Sequence, residues 1–282
     1  MMQPIVRGRY RARLSDGSDD LQAAQRLRWL CFYQRIAEPA PPDGVAGQSG
    51  QDRDPNRDGS ARNGASQDGS GSGPLDQDDL DGQCLHLLVE DLQTGDLVSC
   101  CRLLPLVDGS QIQRSYSAQF YDLSALAGFD GPMLEIGRFC IHPDRADPDI
   151  LRIAWAALTQ FVATNDVQML FGCSSFIGCE PEPHTPAFAI LARNHLAPKR
   201  WWPRVKAPRI FRFARLRRAA GGDGRAGLMA MPPLLRSYLA MGGWVSDHAV
   251  VDTTLRTMHV FTGLEVGAIP AARRRLLVAL AG

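Results

Sequence analysis

The chain contains no Cys-x-x-Cys pair, and Cys31, Cys84, Cys100, Cys101, Cys140, Cys173 and Cys179 never fall with histidine at zinc-ligand spacing. A structural zinc is therefore not expected, nor a thioredoxin-type redox motif. Thiols lying mostly inside apolar runs fit a reducing compartment, so the expected location is the cytoplasm. No segment approaches the roughly 20 apolar residues that span a bilayer, and Met1 to Tyr10 has no signal-peptide core. Any membrane contact is expected to be peripheral, at the inner leaflet. Internal repeats, RNP signatures and helix-turn-helix patterns are also missing, so nucleic acid is not an expected partner. Net charge is nearly absent too, with 31 Lys and Arg against 30 Asp and Glu. That balance conceals an acidic, glycine-rich stretch and a later basic one.

What is present is enough for a globular core: 282 residues, 45% of them hydrophobic. Asp19 or Asp20 is placed to cap a helix running from Leu21 to about Ile36. Between Pro39 and Pro74 there is no aromatic residue and one large aliphatic, Val45, so burial cannot offset the entropy of ordering. Residues 39–77 read as a disordered insertion that separates an N-terminal strand and helix (1–38) from the remainder of one domain (78–282). Short β-prone runs follow at Leu85 to Glu90, Leu97 to Leu104 and Leu134 to Ile141. A helix from Pro148 to Thr164, a strand from Val167 to Cys173 and a helix from Pro186 to His195 come next. Leu234 to Met241 reads as a helix ended by Gly242 and Gly243, ahead of two closing strands, Ala249 to Thr253 and Met258 to Val266. The fold class is α/β (α+β), with a mixed central sheet flanked by helices.

Four small clusters carry candidate chemistry. Arg28 and Phe32 are four apart on the first helix and share a face. Asp78 and Asp81 precede the strand that holds His86. Arg102 stands in Arg102-Leu103-Leu104-Pro105, and Glu135 and Arg138 lie in a central strand. Residues three apart on a regular strand point to opposite faces, so Glu135 and Arg138 line one cleft only if a bulge intervenes, which Gly137 would tolerate.

In this order the clusters resemble the acyl-homoserine lactone (autoinducer) synthases and, more closely, the bacterial L-ornithine Nα-acyltransferases. The closer resemblance rests on Leu85 to Val89, Leu134 to Pro143, Phe171 to Phe176, Thr185 to Pro198 and Pro232 to Val251. It implies a GNAT-like fold and transfer of a 3-hydroxyacyl group from the phosphopantetheine of acyl carrier protein to the α-amine of ornithine, giving lyso-ornithine lipid. No metal and no bound cofactor are implied. Glu135 would be the base, and backbone amides of splayed central strands would hold the oxyanion. Arg102 and Arg28 would grip a carboxylate or phosphate, and Asp78 and Asp81 the δ-ammonium of ornithine. Leu85 stands where that family usually has an acid before the histidine. One feature bears on the donor independently: His142 to Asp149 has no glycine and three aspartates, which suits a donor without the pyrophosphate of coenzyme A.

The basic stretch comprises Lys199, Arg200, Arg204, Lys206, Arg209 and Arg212, with Trp201 and Trp202 interleaved and no acid between Glu182 and Asp223. It suits an acidic carrier protein or an anionic membrane surface. Five other readings compete, the first two being an acyl-homoserine lactone synthase that uses the same donor with S-adenosylmethionine as the amine and a sister aminolipid enzyme that uses glutamine. The H-x-x-x-x-D pattern of glycerolipid acyltransferases occurs twice, at His142 to Asp147 and His86 to Asp91. A cysteine nucleophile would be Cys173 or Cys179, with His184 near in sequence. A non-catalytic carrier- or membrane-binding module is the reading from outside enzymology.

Overall fold

The computed structural model describes residues 2–34, 73–218 and 224–281. Most of the insertion expected at 39–77 lies outside the described residues, but its last residues, from 73 on, belong to the folded domain: Asp76 is buried and hydrogen-bonded. Among the described residues eleven strands occur: β1 Ile5–Arg7, β2 Tyr10–Leu14, β3 Leu85–Asp91, β4 Leu97–Leu106, β5 Tyr121–Asp122, β6 Met133–Ile141, β7 Met169–Ile177, β8 Arg204–Val205, β9 Ile210–Phe211, β10 Trp244–Asp252 and β11 Thr257–Glu265. The α-helices are α1 Ser18–Trp29, α2 Pro148–Thr164, α3 Thr185–Asn194, α4 Gly224–Met229, α5 Pro233–Ala240 and α6 Ala271–Ala281. Nine strands form one sheet in the order β1-β2-β3-β4-β6-β7-β11-β10-β9, while β5 and β8 pair apart from it. Every neighbouring pair is antiparallel except β6 and β7, which are joined through α2 by a parallel crossover.

The two faces of the sheet have different cover. Leu87, Leu103, Leu134, Ile136 and Leu170 point to one face and pack on Ile150, Ile153, Leu158 and Phe161 of α2. On the other face, Leu88, Cys100 and Cys140 pack on Ala24 and Leu27 of α1. Further along that second face, Tyr121, Leu123 and Leu126 from the segment between β4 and β6 cover Phe171, Val250 and Phe261.

Two local details differ from the sequence expectations. Gly17, not an aspartate, occupies the N-cap of α1. Asp20 instead binds Arg13 and accepts the Asp16 amide at 2.6 Å. The helix also changes character at Leu30–Gln34, where it continues as a π-helical turn. Such a turn rotates the residues that follow it, a device often found at functional sites.

Candidate active site

Glu135 and Arg138 share a face of the sheet because β6 is bulged. Cys100 stands opposite Cys140 and Arg102 opposite Gly137, so Cys101 alone faces both Arg138 and Phe139. Arg138 takes φ +50°. The irregularity falls one residue after the expected Gly137, on the arginine itself, a conformation that costs a non-glycine residue of order 1–3 kcal/mol. Its consequence is visible at Tyr116. The Tyr116 amide donates to Glu135 Oε2 at 2.8 Å, and the Arg138 guanidinium lies 5.0 Å from the Tyr116 ring centroid. Arg102 lies 5.9 Å from the same ring.

Around these residues three arginines and three aspartates neutralise one another. Arg28 donates through Nε to Asp76 Oδ2 at 2.8 Å and through Nη1 and Nη2 to the two Asp81 oxygens at 2.7 and 2.9 Å. Arg102 Nη1 reaches both Asp78 and Asp81, and Arg138 Nε reaches Asp76 at 3.0 Å. Gln25 and the His86 ring complete the shell, Gln25 on the Asp81 carboxylate and His86 on its carbonyl. The Arg28 side chain is 1% exposed. The Arg28 fork and the hydrogen bonds around it hold the Asp81 carboxyl far below the usual carboxylate range, outweighing the opposite effect of burial. Arg28 and Asp81 therefore belong to the framework of the site; their bonding groups are spent on each other, not left for a substrate. The Asp78 side chain, 29% exposed, is the least buried member of the network. Arg138 reaches Asp78 only at 3.5 Å. Phe32, carried on the π-helical turn, presents its ring 6.0 Å from the Arg138 guanidinium.

Glu135 is fully buried and accepts three hydrogen bonds: Tyr116 N at 2.8 Å, Ser117 N at 2.7 Å and Ser117 Oγ at 2.6 Å. Burial raises its pKa, and the three donors oppose that rise. Ser117 Oγ in turn lies 3.4 Å from Cys173 Sγ. The thiol of Cys173 is pushed up strongly by burial, the reverse of what a nucleophile requires. Cys179 bonds the Asp252 carbonyl and His184 the Ile177 carbonyl, so neither proposed cysteine pairs with His184. The H-x-x-x-x-D patterns dissolve likewise: His86 turns to Asp81, Asp91 to Arg9, and Asp147 to Tyr10 and its own helix.

Beyond Glu135 and Phe171, β6 and β7 no longer pair with one another. The splay begins where Gly172 sits against the Ile136 carbonyl, which would lie 2.3 Å from any Cβ at that position. Past this point β6 and β7 do not pair with one another, and Ser117, Cys173 and Arg138 lie beside the gap between them. At the adjacent N-terminus of α2, Asp147 accepts the Asp149 amide at 2.9 Å and the Tyr10 hydroxyl at 2.8 Å. The helix end that would bind a pyrophosphate is thus already occupied by a carboxylate of the chain itself.

Asp76, Tyr116 and Ser117 are the site residues that sequence reasoning missed. Asp76 lies at the end of a stretch with the composition of a linker, and Tyr116 and Ser117 lie in 3-10 turns without a periodic signal. Of the basic stretch, Lys199, Arg200, Arg204, Lys206, Arg209 and Arg212 are exposed. The two tryptophans among them are half-buried. Trp201 stacks edge-on with Phe129 at 5.3 Å, and both Trp201 and Trp202 pack on the core. Arg200 pairs with Glu265 and Arg212 with Asp247. Among the described residues, no helix is long and apolar enough to cross a membrane.

The mixed sheet with its splayed parallel pair defines a GNAT-type acyltransferase, and residues 60–156 match the family model of the acetyltransferase (GNAT) domain. Along nearly its whole length, the chain is 30% identical to the L-ornithine Nα-acyltransferase of Rhodobacter capsulatus, over 94% of this chain and 93% of that protein. It is 26% identical to the enzyme of the same name from Brucella abortus, over 93% and 86%. The chain belongs to the L-ornithine Nα-acyltransferase family. Among solved structures, FeeM, an N-acyl amino acid synthase from uncultured soil microbes, superposes with a TM-score of 0.45 at 11% identity, covering 99% of this chain and 98% of that one.

Proposed function

We propose that the chain transfers a fatty acyl group from the phosphopantetheine of acyl carrier protein to the α-amine of L-ornithine, yielding lyso-ornithine lipid. The observation that carries the reading is the cleft opened between β6 and β7, flanked by a buried carboxylate on one side and the Arg102–Arg138 pair on the other. The acceptor and product come from the relatives' shared name. In this reading the thioester lies along the unpaired strand edges, whose amides stabilise the oxyanion as the amine attacks the carbonyl carbon. The sulfur leaves with the electron pair of the broken C–S bond and takes up a proton. Arg138 and Arg102 orient the ornithine carboxylate, Asp78 borders that site, and Phe32 and Tyr116 form its walls. Glu135 takes the ammonium proton through the Ser117 hydroxyl, and its raised pKa makes it a better base than an exposed carboxylate.

A carrier protein suits the donor end because Asp147 already occupies the α2 N-terminus, and the exposed cations from Lys199 to Arg212 offer an acidic carrier a complementary surface. The test is acyl transfer by purified protein with 3-hydroxyacyl carrier protein or the matching coenzyme A ester, and ornithine, glutamine or S-adenosylmethionine as acceptor, products read by mass. Acyl-ornithine formed from the carrier thioester is the expected outcome. A lactone or an acyl-glutamine sinks the ornithine assignment, and equal use of the coenzyme A ester sinks the donor assignment.

A further inference from the structure

Among the described residues, two carboxylates on the cleft face of the sheet lack a cationic partner: Glu135, held by Tyr116 and Ser117, and Asp252. Arg28, Arg102 and Arg138 are taken up by Asp76, Asp78 and Asp81. Asp252, the last residue of β10, is 8% exposed, and among the described residues no Lys or Arg forms an ion pair with it. Its Oδ1 accepts the Thr254 and Leu255 amides at 2.9 and 3.0 Å, which fixes the carboxylate in place without adding positive charge.

Two further polar atoms without partners lie on the same face. Asp252 stands opposite Thr257 in the β10–β11 pairing, so their side chains share a face, and His259, two residues on, shares it too. Thr257 Oγ1 and His259 Nε2 are both buried with no hydrogen-bond partner. His259 is 2% exposed, and its other ring nitrogen lies 3.3 Å from the Tyr121 hydroxyl. Burial pulls His259 down to about 4, so the ring is neutral at pH 7 and does not balance Asp252. Across the next strand His259 stands opposite Ser175 and Phe261 opposite Cys173, so Asp252, Thr257 and His259 lie on the face of the sheet that carries Cys173.

A fixed carboxylate, a hydroxyl and a neutral imidazole, none with a cation, match a primary ammonium, which brings three donors and one positive charge. We propose that Asp252, with Thr257 Oγ1 and His259 Nε2, binds the side-chain ammonium of the amino-acid acceptor and so selects a diamino acid over a neutral one. The proposal rests on the reading of the chain as an ornithine acyltransferase. It also assigns the two ends of the acceptor: α-carboxylate toward Arg138 and Arg102, side-chain ammonium across the Tyr116 ring toward Asp252. Asp78 and Asp81, the residues expected from sequence to hold that ammonium, are already matched by arginines.

The experiment compares ornithine with norvaline, which keeps the three-carbon side chain and lacks the terminal amine, in wild type, Asp252→Asn and Thr257→Val. Asparagine keeps an oxygen for the two turn amides and removes only the charge. Asp252→Asn is expected to lose on the order of 10- to 100-fold in kcat/KM for ornithine, mainly through KM, with norvaline unchanged or improved. Thr257→Val is expected to shift the same ratio in the same direction by less, and it decides the matter if Asp252→Asn fails to fold. A wild type that acylates ornithine, with an ornithine-to-norvaline ratio unmoved in the folded variants, overturns this proposal alone. A wild type that acylates neither amino acid overturns the functional reading and this proposal with it.

Discussion

Replacing Arg28 by methionine keeps much of the side chain's length and removes four charge-assisted hydrogen bonds to Asp76 and Asp81, on a residue only 1% exposed. Breaking a buried ion pair from one side costs about 3–5 kcal/mol, because the orphaned charge stays buried. Asp76 keeps Arg138, and Asp81 keeps Gln25 and Arg102, so the lower end of that range applies. For a domain of this size each kcal/mol moves the midpoint by about 2–4 °C, giving a fall of about 6–12 °C at pH 7. The pH dependence adds a second readout. In the wild type the folded-state Asp81 carboxyl titrates well below its unfolded value, so its contribution is fully present above the unfolded pKa, near 4, and is lost as pH falls through the folded one. In Arg28→Met the carboxyl takes up a proton at higher pH and relieves the penalty. The stability gap between the two proteins should therefore shrink below about pH 4. Urea melts of both at pH 7 and pH 3.5 measure this directly. Unchanged melts together with a raised KM for ornithine would refute the framework role and return Arg28 to the substrate-binding set.

Three further outcomes are expected. Glu135→Gln should lower kcat by 100-fold or more and remove the acid limb of the pH–rate profile, a limb that in the wild type lies above the ordinary carboxylate range because activity needs the raised Glu135 pKa to be exceeded; a near-normal rate leaves Glu135 only its hold on Tyr116 and Ser117. Gly172→Ala drives a methyl to 2.3 Å from the Ile136 carbonyl at the start of the splay, so the melt should fall by the equivalent of about 1–3 kcal/mol and acyl transfer should drop with it; an unshifted melt shows that the strands part without that close approach. Arg204→Glu with Arg209→Glu, both exposed, should raise KM for the acyl carrier protein and weaken its salt dependence while leaving the melt in place; unaltered carrier kinetics move the docking face elsewhere.

The parts of the fold legible in sequence were those with strong local signals. The apolar runs at β3, β4, β6 and β7 and the Asp147-capped, Pro148-started α2 fall within a few residues of where periodicity put them. α6 was not anticipated: its Arg-rich, alanine-rich turns show little amphipathic contrast, and the helix is docked by tertiary contact with α2. The N-terminal strand expected from sequence corresponds to β2, and β1 pairs on its outer edge as a three-residue strand too short to carry a pattern.

The site divides along the same line. Residue types and their order placed Glu135, Arg138, Arg102 and Asp78 in one cleft, and strand geometry required a bulge to bring the first two together; the bulge is there, seated on Arg138. What spacing does not encode is which opposite charges consume one another. Arg28 and Asp81, 53 residues apart, bind one another within a wider network, while among the described residues Asp252 in the terminal hairpin forms no ion pair. A substrate cation is drawn to the carboxylate whose field remains uncompensated, since an aspartate held by a bidentate arginine offers little further attraction. On the proposal made for Asp252, specificity for a diamino acid is set by the charge left uncompensated after folding, a quantity fixed by three-dimensional pairing and not by any single motif.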